Sequence, residues 1–241
     1  MKRLKRKGAL YISWEHVFIT LAVIFLPFVF FLVFSKLAHI TSSVLFYDLF
    51  ISMVRLFIAY GIAVVIGWVC AVLFYKGKIS HIALPIFDVL QSFPIFAALP
   101  LAVYYWGATN FTVIFFLVAA VIWPIFFSLI SSLKLIRHDW EEVAEISQLK
   151  GWRYIKNFLW PVSAPGLITG SIIGLGDGWE ALVATEIIVQ IKMGLGDFFG
   201  TYAANPTITT FGILGFLLFI FSINKLVWLP LLERSHRTME V

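Results

Sequence analysis

The sequence predicts an all-α polytopic membrane protein with six spans. Three observations carry this reading. Of the 241 residues, 61% are hydrophobic and only 13% charged, against roughly 25% charged in a soluble domain; mean hydropathy is +0.96. Apolar runs of about 20 residues recur, each long enough to cross a bilayer core of roughly 30 Å as a helix. These runs lack the apolar–polar alternation of a membrane barrel, so helices remain as the way to satisfy a backbone in lipid.

The spans read as 17–35, 46–75, 84–106, 111–133, 163–190 and 208–230. They divide the chain into a basic N-terminal segment (1–16), a first span with its outer loop (17–45), a core of spans (46–230) and a tail (231–241). The opening "MKRLKRKGALYISWEHVF" has the basic head of a signal peptide. The apolar run behind it is longer than a usual h-region and no small-x-small cleavage site follows, so it reads as an uncleaved first span. Pro27, Pro85, Pro94, Pro100 and Pro124 fall within or at the edge of spans. Membrane helices tolerate proline where neighbours repair the lost bond. The third span holds three of them and is expected to bend or partly unwind; ordinary kinking and the lining of a path both fit.

Lys and Arg set the orientation. With a cytoplasmic N-terminus, Lys2, Arg3, Lys5, Arg6, Lys7, Lys76, Lys78, Lys134, Arg137, Lys150, Arg153, Lys156, Arg234 and Arg237 fall inside, and Lys36 and Lys192 outside. That asymmetry obeys the positive-inside rule. It places both termini in the cytoplasm of a multi-pass protein of the cell membrane, and it explains the net charge of +5 without a nucleic-acid partner. Tyr104, Tyr105, Trp106 and Trp228 suit the interfacial belts. The single cysteine, Cys70, lies in an apolar run and reads as a small buried hydrophobe, not as a disulfide partner or metal ligand. Nothing in the sequence asks for a cofactor.

One polar segment interrupts the spans: "HDWEEVAEISQLKGWRYIKNFLWP", residues 138–161. Asp139 with Glu142 three residues later makes an Asp form of the capping box. Glu141, Glu142 and Glu145 crowd the first turns and Lys150, Arg153 and Lys156 follow, an order that suits the helix dipole. Val143, Ile146 and Leu149 make an apolar stripe, and Gly151 can end or bend the helix. A second short pattern, with Trp152, Ile155, Phe158 and Leu159, leads to Pro161, where a missing N–H costs little. The segment is therefore expected as a helix, an elbow and a second helix on the cytoplasmic surface. A solvated interfacial loop and a protein-docking surface both fit it.

Within the fifth span, Gly166, Gly170, Gly174 and Gly178 recur every four residues, a face that lets two membrane helices approach closely. Asp177 and Glu180 lie near its middle and Glu186 near its outer end. Ionisable residues at such depth usually face an interior or a wet cavity. Arg55 and Glu180 lie about nine and ten residues from the outer ends of their spans, a similar depth at about 1.5 Å per residue. Arg55 is therefore expected to approach Glu180 or Asp177, with separate access to water as the alternative. Trp179 reads as packing before ligand contact.

These residues resemble the permeases of ABC importers. Their cytoplasmic signature runs Glu-Ala-Ala, three residues, Gly, nine residues, then an aliphatic residue, any residue, Leu and Pro. Here Glu142, Val143 and Ala144 stand at its start, Gln148 at the Gly position, and Phe158, Trp160 and Pro161 at the aliphatic, Leu and Pro positions, with full spacing; Val143, Gln148, Phe158 and Trp160 depart from the pattern. Ser52, Arg55 and Gly67 look like the opening core span. The proline-rich third span, and Pro165, Gly166, Gly170, Trp179, Glu186 and Gly194-Leu195-Gly196, are similar to the nitrate, sulfonate and taurine group. Together they cover roughly 45–230. The resemblance implies a type I importer permease fold, with a coupling-helix pair between spans four and five. It also implies ATPase coupling through Glu141, Glu142, Val143, Ala144, Glu145, Gln148, Gly151 and Pro161. Implied partners are a dimer of ABC ATPase subunits, a second permease subunit (the same chain or a related one), an extracytoplasmic solute-binding protein and the lipid bilayer. Arg55, Asp177, Trp179, Glu180 and Glu186 become candidates for the path of a small solute, the group's range including anions such as nitrate, sulfonate or taurine.

Other classes fit less well. No Gly-x4-Gly-Lys-Ser/Thr loop occurs, so ATP hydrolysis would belong to a partner. An ion-coupled secondary transporter would favour an internal repeat, and none is evident between the halves. A membrane protease would need a Gly-x-Ser-Gly motif with a span-borne His, or His-Glu-x-x-His; neither occurs.

Overall fold

The computed structural model describes residues 14–233. Most of the basic N-terminal segment, and Arg234, His236 and Arg237 of the tail, lie outside the described residues. The described residues form helices and turns, with no strand among them.

Helix α1 (Trp14–Leu37) leads through a short turn into α2 (Ser42–Phe74). α2 has 33 residues, about 50 Å at 1.5 Å per residue, well beyond a bilayer core of roughly 30 Å. Its buried stripe changes character along its length. Asp48, Ser52 and Arg55 come first, then Ala59, Ala63, Gly67 and Ala71 at four-residue steps. The small side chains bring α2 against α5 (Asn110–Lys134), where a Cβ on Gly67 would lie 3.4 Å from Ile125.

The third span is broken. α3 (Lys78–Gln91) ends at Ser92, a 3-10 turn (Ile95–Ala98) follows Pro94, and α4 (Leu99–Trp106) departs at 65° to α3. Pro94 cannot donate the helical bond that would carry α3 onward. Among the described residues, five helices are long and apolar enough to cross a membrane, and the bent pair makes a sixth span if taken as one.

α8 (Trp160–Val189) packs along α5 through its glycines. A Cβ on Gly166 would lie 2.6 Å from the Ser128 carbonyl oxygen, and one on Gly170 2.7 Å from the Ile125 Cα. Gly174 and Gly178 face Val121 in the same way. α2, α5 and α8 thus form the core. α10 (Pro206–Ile223) pairs with α1 beside it, where Gly215 receives Phe30 and Phe31 and the Ser222 hydroxyl donates to the Val23 carbonyl at 2.7 Å.

α6 (His138–Ile146) and α7 (Trp152–Tyr154) lie at one end of this core, the elbow end. α9 (Leu195–Thr201) lies at the other, the loop end. Two local expectations change here. Asp139 does not cap α6: Arg137 holds the cap position, and the Asp139 carboxylate sits inside the first turn, 2.8 Å from the Arg137 guanidinium. The second short helix is not separate either. α7 runs through a π-turn (Ile155–Leu159) into α8. The wider turn absorbs Pro161, whose ring and missing N–H would break a regular helix.

Candidate functional site

Three features at different depths carry the polar chemistry. The most buried among the described residues is at the loop end. Asp48, Ser52 and Arg55 share one face of α2, and Glu186 comes from α8; all four are buried, Glu186 completely. The Arg55 Nη1 donates to Glu186 Oε1 at 2.6 Å and to the Met193 carbonyl at 2.7 Å, and Nε donates to Asn110 Oδ1 at 2.8 Å. The Ser52 hydroxyl donates to the Glu186 carboxylate, 2.8 Å to Oε2.

The loop after α8 closes over this group with its backbone. The Gly194 N–H donates to Asp48 Oδ1 at 3.0 Å, the Leu195 N–H to Ser52 Oγ at 2.8 Å, and the Gly196 N–H to Glu186 Oε2 at 2.9 Å. The two glycines are steric requirements. Gly194 sits at φ +126°, and a Cβ there would lie 2.7 Å from Arg55 Nη1; a Cβ on Gly196 would run into Glu186 itself. Buried charge is costly unless paired and hydrogen-bonded, and these bonds satisfy it. The arrangement is a latch: it fixes the end of α8 and the following loop to α2.

The latch replaces the expected pairing of Arg55 with Glu180 or Asp177. Arg55 reaches Glu186 because α2 projects beyond the ends of α5 and α8. Counting depth from helix ends presumes that the ends share one plane, and α2 is too long for that. Asp48 and Asn110 escaped the sequence reading. The signal for Asp48 was present in its i, i+4, i+7 spacing with Ser52 and Arg55 on a single helix face.

The second feature is a groove of about 990 Å³ bordered by the α3–α4 break, α5 and α8. Asp177 lines it with Trp123, Phe127, Ser128, Ser131 and Gln91. Glu180 is exposed one turn further along α8. Trp179 turns inward, 5% exposed, with its ring edge-on to Phe216 at 5.1 Å and Phe219 at 6.0 Å.

The third is the elbow. α6 ends in a Schellman arrangement: the Leu149 N–H donates to the Ala144 carbonyl at 3.0 Å and the Gln148 N–H to the Glu145 carbonyl at 2.9 Å. This geometry puts its C′ residue in the left-handed region, and Gln148 has φ +53°. Gly151 also has φ +53°, so the chain turns at both residues. Ala144 is buried, while Val143, Ile146 and Trp152 are 60%, 83% and 72% exposed. Glu141 accepts from Lys76 at 3.1 Å and Glu142 lies 3.5 Å from His138. Burial opposes the Lys76 charge, but hydrogen bonds to Tyr75 and Glu141 outweigh it and hold the amine above the ordinary lysine range.

A bent span beside a groove that holds a carboxylate, a glycine-packed core and a capped surface elbow together fit a membrane transport subunit. Residues 63–229 match the family of binding-protein-dependent transport system inner membrane components. The chain belongs to that family. It is 31% identical over 152 residues to the nitrate import permease protein NrtB of Synechocystis sp., covering 63% of this chain and 55% of that protein. It is 26% identical over 155 residues to the bicarbonate transport system permease protein CmpB of Synechococcus elongatus, covering 64% and 56%. Against the taurine transport system permease protein TauC of Escherichia coli it is 27% identical over 140 residues, covering 56% and 51%. The aligned part spans about half the length of these relatives.

Proposed function

We propose that the chain is the membrane-spanning subunit of an ATP-binding-cassette importer in the cell membrane. Family membership supports the class. The elbow is the observation that carries the reading. Apolar Val143, Ile146 and Trp152 stand exposed on a short capped helix and the turn behind it, as a patch that a protein partner would cover. A separate ATPase pair would dock there, through Glu141, Glu142, Val143, Ala144, Glu145, Gln148, Gly151 and Pro161. The elbow end and both termini would then be cytoplasmic. A solute-binding protein would meet the loop end, and a second permease subunit, the same chain or a related one, would complete the path.

The fold supports a route for the push. Residues 152–189 form one helical unit of 38 residues. That unit starts beside the elbow, carries Asp177 in the groove and ends in the latch at Glu186. Movement of a packed helix as a rigid body is a common way to carry a small shift across a protein. The solute would be small and polar, within the range named for the relatives: nitrate, bicarbonate and taurine.

The test is Glu142→Lys in the assembled transporter. Uptake should fall about tenfold or more, the order of a typical coupling energy, while ATP hydrolysis and membrane insertion persist. Unchanged uptake would sink the docking role.

A further inference from the structure

The charge of the groove is at odds with a bare anion. Asp177 lines it, and of the described lining residues none is Lys, Arg or His. Arg55, the one buried Lys or Arg among the described residues, is committed to Glu186, Asn110 and the Met193 carbonyl. Glu180, exposed on the next turn of α8, adds a second negative charge beside the groove. The apolar walls include Phe93, Phe127 and Trp123. A carboxylate and aromatic faces lining one groove are groups that attract an ammonium ion. The same arrangement repels nitrate or bicarbonate, and repulsion strengthens where water is scarce. Ser128 also lines the groove, and its hydroxyl makes no hydrogen bond among the described residues. It remains available to a polar group at the other end of a short solute.

We propose that Asp177 is a solute-binding residue and that the groove accepts a small solute bearing a protonated amine, such as an amino-sulfonate or other zwitterion, over a bare inorganic anion. This rests on the permease reading and narrows its substrate class.

The experiment measures the groove's charge preference in membranes holding the full chain. Ser128→Cys is placed in a Cys70→Ala background, which leaves one thiol in the groove. Its reaction with a methanethiosulfonate bearing an ethyltrimethylammonium group is compared with that of the sulfonatoethyl analogue, in membranes open from both sides. Rates are normalised to a small free thiol. The cationic reagent should react roughly tenfold faster, as expected for one unit charge near a carboxylate in a site of reduced dielectric. The preference should persist in a Glu180→Gln background, and adding Asp177→Asn there should remove most of it. Equal rates, a preference for the anionic reagent, a preference that survives Asp177→Asn, or no reaction with either reagent would each overturn the proposal. ATP-driven uptake by the assembled transporter is a separate measurement. Its failure would remove the permease reading without altering the measured charge preference, and an anion-preferring groove would leave that reading intact.

Discussion

Arg55 and Glu186 are separated by 131 residues in sequence and by 2.6 Å in space. Their pair joins the two outer helices of the core at the loop end, and the backbone of residues 193–196 folds over it. The first prediction concerns this pair. Removing one partner of a buried ion pair costs about 3–5 kcal/mol, so Arg55→Leu and Glu186→Leu should each destabilise the detergent-solubilised protein by that order. The double variant should cost less than the sum of the two. Thermal or denaturant unfolding of the four proteins closes the cycle. Additive costs would mean that the pair is not coupled.

Gly196→Ala should be damaging and Gly200→Ala silent. A Cβ on Gly196 meets Glu186, while one on Gly200 meets nothing within 4 Å. Overpacking typically costs about 1–3 kcal/mol. The unfolding midpoint should fall for the first variant only.

The seam between α5 and α8 makes a parallel prediction. Gly170→Ala places a methyl group 2.7 Å from the Ile125 Cα, whereas Gly176→Ala enters open space. The first should lower stability by about 1–3 kcal/mol, and the second should leave it within about 0.5 kcal/mol. Equal effects would contradict the close helix approach.

At the elbow, Gln148 occupies a left-handed position that costs an ordinary residue roughly 1–2 kcal/mol. Gln148→Gly should relieve that strain and increase the hydrogen-exchange protection of the α6 amides. Gln148→Val, β-branched at φ +53°, should reduce it. Protection that follows neither direction would contradict the Schellman geometry.

Much of this arrangement was legible in the sequence. Long apolar runs gave the spans, and prolines in 84–106 marked the one that breaks. The four-residue glycine spacing reads the same way as the α5–α8 seam looks. Tertiary facts were harder. Depth counted from helix ends points Arg55 to Glu180 or Asp177, but the 33-residue α2 does not end level with its neighbours, and Arg55 meets Glu186. Asp139 was read as a cap because its spacing to Glu142 is right, but spacing alone does not show that Arg137 starts the helix and draws the carboxylate to itself. Gly151 offers a bend by composition and Gln148 by its place in the family signature, and the chain turns at both. The backbone donors of residues 194–196 carry no side-chain signal, so only the glycines hinted at the latch.

The most direct test of the account is solute uptake into proteoliposomes containing this chain, its partner permease subunit and an ATPase pair, with a loaded binding protein present. The account predicts uptake that requires ATP, together with hydrolysis stimulated by the loaded binding protein. Uptake by the chain without ATPase, driven by a proton or sodium gradient, would contradict it.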